Sequence, residues 1–173
     1  MAQFIDNSPE FIERMQKACE AALEALGNQA VSHAKKNITE DIPRNAGSWS
    51  TPTGALKNSI SHMAKPDENT VYVGTNLSYA KYNEYGTGVY ADNGNGKQGF
   101  WVFVPDASKE GTSVGGAKVY TEAQARRIVA MLKAKGLDAH MTKGMKPIHF
   151  LKRAIEEHSD EYYSIIQKFI SKA

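Results

Sequence analysis

A mixed α+β fold is what this 173-residue sequence predicts, and three observations point to it. Apolar residues recur at spacings of three and four near both ends of the chain, as amphipathic helices require. Between them lie short β-branched and aromatic runs bounded by Asn, Asp and Gly, the pattern of antiparallel hairpins. Residues 118–141 then read as strand, helix, strand, a small insert on the main frame. The length fits a single domain over 1–173.

Ser8-Pro9-Glu10 reads as a helix start, with a hydroxyl N-cap, proline at the first helical position and an acid in the first turn. Ile12, Met15, Cys19, Ala22, Leu26 and Ala30 form its apolar stripe, and the helix is expected to run to about Lys36. Gly27 and Asn28 weaken its middle and invite a bend. Residues 43–53, rich in Ser, Thr, Gly and Pro, read as a loop. A short helical turn at 53–60 leads into a hairpin whose arms are 60–64 and 70–74, turning at Asp67-Glu68-Asn69. Residues 78–85 read as a two-turn helix that sets Tyr79, Tyr82 and Tyr85 on one face, and Gly86 stops it. Three tyrosines so spaced are expected to be core with wet hydroxyls.

A second, protruding hairpin is expected over 89–104, with its tip at 92–97, where two Asn-Gly pairs allow positive φ. Residues 108–116, rich in Gly and Ser, read as a mobile linker. Thr121 is the N-cap of a helix over 122–135 that buries Ala125, Ile128, Val129 and Leu132 and stops at Gly136. It forms the centre of the insert at 113–144, which ends with a short strand at 137–141. After Pro147, one amphipathic helix carrying Phe150, Leu151, Ala154, Ile155, Tyr162, Ile165, Ile166 and Phe169 runs to the C-terminus.

Composition narrows the function classes. Apolar residues at 41% and charged residues at 23% can bury an ordinary core. The only cysteine, Cys19, excludes a disulfide framework and a thiolate-clustered zinc site. No basic start and apolar run resembles a signal peptide, so a cytoplasmic site of synthesis and assembly is expected. The net charge of +2 argues against nucleic-acid binding by the chain as a whole. Nine basic residues against Glu122 and Asp138 nevertheless make 113–153 a local +7. That segment is either a solvated face or a surface for an acidic partner or DNA.

The catalytic and ligand signatures fail one after another. Gly94-Asn95-Gly96-Lys97-Gln98-Gly99 matches a dinucleotide fingerprint in letters, but a strand-like run follows it where a helix N-terminus should receive the phosphates. Asp92 opens a sequence that hints at a calcium loop, yet Gly94, Gly96 and Phe103 stand where oxygen ligands belong. The histidines at 33, 62, 140, 149 and 158 lack the spacing of a zinc protease, so no metal site is expected. Gly111-Thr112-Ser113-Val114-Gly115 has the letters of a Gly-x-Ser-x-Gly elbow but falls in the stretch read as a mobile linker, so no strained elbow is expected. The paired carboxylates at 156/157 and 160/161 read as a solvated helix face. Neither a cofactor nor catalytic chemistry is expected.

Three segments, in order, carry a family likeness. They are Thr53-Gly54-Ala55-Leu56-Lys57-Asn58-Ser59-Ile60; Val73-Gly74-Thr75 followed by Tyr79-Ala80-Lys81-Tyr82-Asn83-Glu84-Tyr85-Gly86-Thr87-Gly88; and Lys146-Pro147-Ile148-His149-Phe150-Leu151-Lys152-Arg153-Ala154. The chain resembles the head–tail joining, neck or tail-completion proteins of long-tailed bacteriophages and their prophages. The positions bearing the likeness are Thr53, Gly54, Leu56, Ser59, Tyr79, Glu84, Tyr85, Gly86, Thr87, Gly88, Pro147, Phe150 and Leu151. These residues read as scaffold: glycines that let a helix stop, a proline that sets a helix start, and an aromatic-aliphatic pair that plugs the core.

The resemblance implies a twisted, mainly antiparallel sheet with the two long helices packed against it. It implies a structural protein of the virion, seated at the head–tail interface and assembled in the bacterial cytoplasm as a ring of six. Its implied partners are head-completion or connector proteins and the tail tube or terminator, with DNA met only in the lumen. A closed ring needs two different complementary patches per subunit. The candidates are Val89, Tyr90, Asn93, Asn95 and Lys97 of the hairpin, and Arg126, Arg127 and Lys133 of the basic insert. The alternative is a DNA-binding regulator that uses 113–153.

Overall fold

The computed structural model describes residues 6–45, 54–106, 109–114, 116 and 118–172. In chain order these form α1 (Ser8–Asn45), α2 (Ala55–Ser59), β1 (Ser61–Lys65), β2 (Thr70–Gly74), α3 (Ala80–Tyr85), β3 (Trp101–Asp106), β4 (Lys109–Val114), α4 (Glu122–Ala134), β5 (His140–Thr142), α5 (Phe150–Glu156) and α6 (Ser159–Ile170). The mixed helix-and-sheet class is borne out. Where one twisted sheet was expected there are two, the pair β1-β2 and the three-stranded β4-β3-β5, both antiparallel. The chain divides into two compact units, one of 1–44, 50–78 and 150–173, the other of 45–49 and 79–149.

The first unit is built on α1. This helix continues through Pro43 to Asn45, beyond the expected stop near Lys36, so the loop expected over 43–53 begins later. The rest of that loop, 46–53, lies outside the described residues. The expected Ser8 cap is displaced outward: the Asp6 carboxylate accepts from the Ser8 amide at 2.9 Å, and Phe11 N donates to the Asn7 carbonyl. The buried face of α1 is small-residue rich, with Ala22, Ala30, Ala34 and Ile38, while Phe11 and Ile12 at its start are exposed. Gly27 belongs to that buried face. A Cβ there would overlap the His62 ring, so the glycine marks a close approach of β1 to α1.

β1 and β2 pair in register from Ser61↔Gly74 to Lys65↔Thr70. A 3-10 turn, Pro66–Glu68, and Asn69 at φ 49° connect them. Leu56 within α2 and Ile60 just after it are buried, as are Phe150 and Ala154 of α5. Asn37, also buried, donates from Nδ2 to the Phe150 carbonyl at 3.2 Å and so ties α1 to the start of α5. The single C-terminal helix expected from periodicity is two, because His158 leaves helical geometry (φ −125°, ψ 21°) and α6 starts afresh with Asp160 and Glu161 in its first turn.

The second unit is centred on β3. Val102 pairs with Val114 on one side and Met141 on the other, and it is fully buried with Ala125 and Ala139. Phe100, Val104, Tyr120, Ile128, Val129 and Leu132 close over that centre. The helix face expected from sequence is the one buried. Thr121 caps α4 in a full capping box with Gln124, and Gly136 at φ 78° follows its end.

The strand partner is corrected. β3 does not pair back to 89–98; residues Gly88–Tyr90 form a 3-10 turn, and 92–98 are turns and bends. Its hairpin partner is β4, within the Gly/Ser-rich stretch read as mobile from sequence. The insert at 113–144 therefore supplies α4 and β5 to the core of this unit. The reason is physical: β4 has little strand propensity of its own, and long-range pairing with an apolar central strand overrides it.

Candidate functional site

The residues that carried the family likeness gather in two places, each within one unit. In the first unit, Ser59 Oγ and Thr75 Oγ1 share a 2.6 Å hydrogen bond, and Ser59 Oγ also donates to the Leu56 carbonyl. The turn at 54–60 and the Val73-Gly74-Thr75 strand end are thus tied by side chains. Gly54 sits at φ 74° as the cap of α2, a conformation that favours glycine. Thr53 lies outside the described residues.

In the second unit, Glu84-Tyr85-Gly86-Thr87-Gly88 lies along 143–149 and is zipped to it. Thr87 N donates to Met145 O at 2.9 Å and Met145 N returns a bond to Thr87 Oγ1 at 3.0 Å. Val89 N reaches Lys143 O at 3.0 Å, Ile148 N reaches Asn83 O at 2.8 Å, and His149 N reaches Glu84 O at 3.2 Å. Such reciprocal bonding satisfies irregular backbone that would otherwise be costly to bury.

Two glycines make the approach possible. Gly88 at φ 60° and Gly144 at φ 120° face each other's strands, and a Cβ on either would overlap backbone atoms of the other segment. Gly86 is as tightly enclosed, by Tyr90 O, Met145 O and the Pro147 ring. Glu84 is 5% exposed, a buried carboxylate within this knot.

Of the three tyrosines expected in the core, Tyr79 is half-buried and the other two differ from expectation. Tyr82 and Tyr85 are 48% and 59% exposed, and the buried residues of α3 are Ala80 and Glu84. Phe150 is fully buried at the start of α5 and Leu151 is half-buried, but both lie in the first unit.

Of the candidate interface residues, Val89, Asn93, Asn95, Lys97, Arg126, Arg127 and Lys133 are exposed. Tyr90 is half-buried, with the Lys143 and Lys146 ammonium groups 5.4 and 6.0 Å from its ring. Lys97 lies 5.3 Å from the Trp101 ring, a cation–π contact. Arg126 is ion-paired at 2.6 Å to Glu122, an acid already counted in the local +7, and Arg153 is paired at 2.9 Å to Glu157, just outside 113–153. Asn95 N donates to Asn93 Oδ1, so the 93–95 tip is an Asx turn.

Against this geometry, the chain was compared with known proteins. Residues 2–86 match the HK97-gp10-like family. That family is described as "Bacteriophage HK97-gp10, putative tail-component", and the match spans just under half of the 173 residues. The phage likeness read from the motifs is shown by this HK97-gp10-like match, which contains the first motif and the second as far as Gly86. The family is one of phage tail components, and the coarse reading of a structural virion protein follows from it. No curated protein and no solved structure matches the chain.

One grouping was invisible in the sequence. His33 of α1 meets His158 and Glu161 at the start of α6. His33 stands more than a hundred residues from the other two, which left no spacing signal to read.

Proposed function

We propose that this protein is a non-catalytic structural component that completes the phage tail and joins it to the head as a ring subunit. The observation that carries the reading is the HK97-gp10-like match over 2–86, continued beyond it by the zipped Thr87-Gly88 and 143–149 segments. The glycines of that knot are occupied by backbone contacts of the chain itself, which suits a scaffold that holds surfaces in place. The ring contacts fall to the exposed 89–97 stretch and the outer face of α4 with Arg127 and Lys133, one patch meeting the other on the next subunit. Six subunits, neck and tail-tube proteins as neighbours, DNA only in the lumen, and assembly in the host cytoplasm complete the proposal.

The DNA-binding alternative rests on the basic segment 113–153, in which Arg153 is paired to Glu157 just outside it. The decisive experiment deletes the gene from the phage or inducible prophage that encodes it. Separate full heads and unattached tails are expected by electron microscopy, restored by the wild-type gene in trans. Infectious tailed particles from the deletion strain would overturn the proposal.

A further inference from the structure

His33, His158 and Glu161 converge in the first unit, from the middle of α1 and the first turn of α6. His33 Nε2 lies 2.8 Å from Glu161 Oε2, His158 Nδ1 lies 3.7 Å from the same oxygen, and all three donor atoms lie within 4.8 Å of one another. The second carboxylate oxygen, Oε1, accepts from Gln29 Nε2 at 2.7 Å, which aims Oε2 at the histidines. The Tyr162 ring stands edge-on to His33 at 6.2 Å. His33 is the most enclosed ligand and Glu161 the most open, so the cluster has a packed floor and a solvent-facing side.

We propose that this cluster is a site for a divalent transition-metal ion of the zinc type, which clamps α6 to α1. Two observations support it. Three donor atoms of the kinds that bind such ions, brought from two helices, already lie within 4.8 Å of one another, with one side open to solvent. Two imidazoles and one carboxylate are the donor set that zinc accepts with its fourth position open to water, and Gln29 supplies the outer hydrogen bond such ligands carry.

Donors around a tetrahedral ion stand about 3.4 Å apart when the bonds are about 2.0–2.1 Å long. Binding therefore asks the 2.8 Å His33–Glu161 contact to open and the imidazoles, stacked at 3.4 Å with planes 8° apart, to rotate until both lone pairs converge on the ion. Harder ions such as magnesium and calcium, which take all-oxygen shells, do not fit this donor set.

The test titrates the metal-free full-length chain with zinc sulfate at pH 7.5 by calorimetry and follows thermal unfolding in parallel. One ion per chain, a rise in melting temperature reversed by EDTA, and no response to magnesium are expected. His158→Gln, at a half-exposed helix cap, and Glu161→Gln should each weaken binding by roughly tenfold or more while leaving the helical circular dichroism intact. His140→Gln, in the other unit, serves as the control and should bind as the wild type does. Binding absent from the wild type, or unchanged in both His158→Gln and Glu161→Gln, would overturn the proposal and leave a hydrogen-bonded His33–Glu161 pair.

Discussion

The two units hold themselves together by different means. In the first, side chains do the joining: Asn37 reaches the start of α5, Ser59 reaches Thr75, His62 rests against Gly27 and bonds Glu24 at 2.8 Å, and Phe150 fills the interior. In the second, an apolar centre on Val102 stands beside a knot held by backbone hydrogen bonds and facing glycines. A side-chain joint is graded, because a smaller residue leaves a cavity of matching size. A backbone joint is closer to all-or-none, since any Cβ in its path displaces a whole segment.

The largest test of this contrast is Phe150→Ala. Removing a fully buried ring should cost about 3–5 kcal/mol in urea unfolding. A loss below 1 kcal/mol would show that α5 is not anchored by that side chain. Next comes Gly88→Ala in the knot, where a single methyl meets the Lys143 carbonyl at a left-handed φ. Roughly 2–4 kcal/mol should be lost, with faster amide exchange at Thr87, Val89 and Met145. Unchanged exchange there would remove the all-or-none character claimed for the knot.

Gly27→Ala should cost less, about 1–3 kcal/mol, because its obstacle is the movable His62 ring. Pairing it with His62→Ala should recover most of the loss, since Ala is the better helix former once the ring is gone. Strictly additive costs would mean that the two residues do not meet.

The smallest effect concerns the β1–β2 turn. The Lys65 ammonium and then the Tyr72 hydroxyl, at 2.8 and 2.9 Å, hold the Glu68 carboxyl below its usual range. A depressed folded value means a contribution present above the unfolded carboxylate value and lost as pH falls through the folded one. Glu68→Gln should therefore lower stability slightly at neutral pH, change it least at strongly acid pH, and so flatten the acid side of the stability curve. An identical acid slope in wild type and variant would count against the bonding.

Much of the fold was legible where the cause is local. Thr121 and Gly136 bracket α4 by short-range chemistry, and the Ala125-Ile128-Val129-Leu132 face follows from helix period alone. Strand partners were not legible. The Asn-Gly pairs at 92–97 do mark turns, but a turn signal does not say which segment returns to pair, and β3 took β4 and β5 instead. The tyrosines of α3 show a related limit, since shared spacing puts side chains on one face without saying whether that face is covered. In the candidate site, Gly86, Thr87 and Gly88 stood out as letters, while their partners at Lys143, Gly144 and Met145 could be found only in three dimensions.

Gly94 contrasts with the knot a few residues before it. A Cβ at Gly94 meets nothing within 4 Å, and its neighbours Asn93 and Asn95 are exposed. Gly94 itself sits at φ 67°, so a fluorophore or short epitope tag belongs on the exposed Asn95 side chain beside it, where it would burden solvent. Because the same tip is a proposed subunit contact, such a label separates two failures that gene deletion merges, a chain that cannot fold and a folded chain that cannot dock.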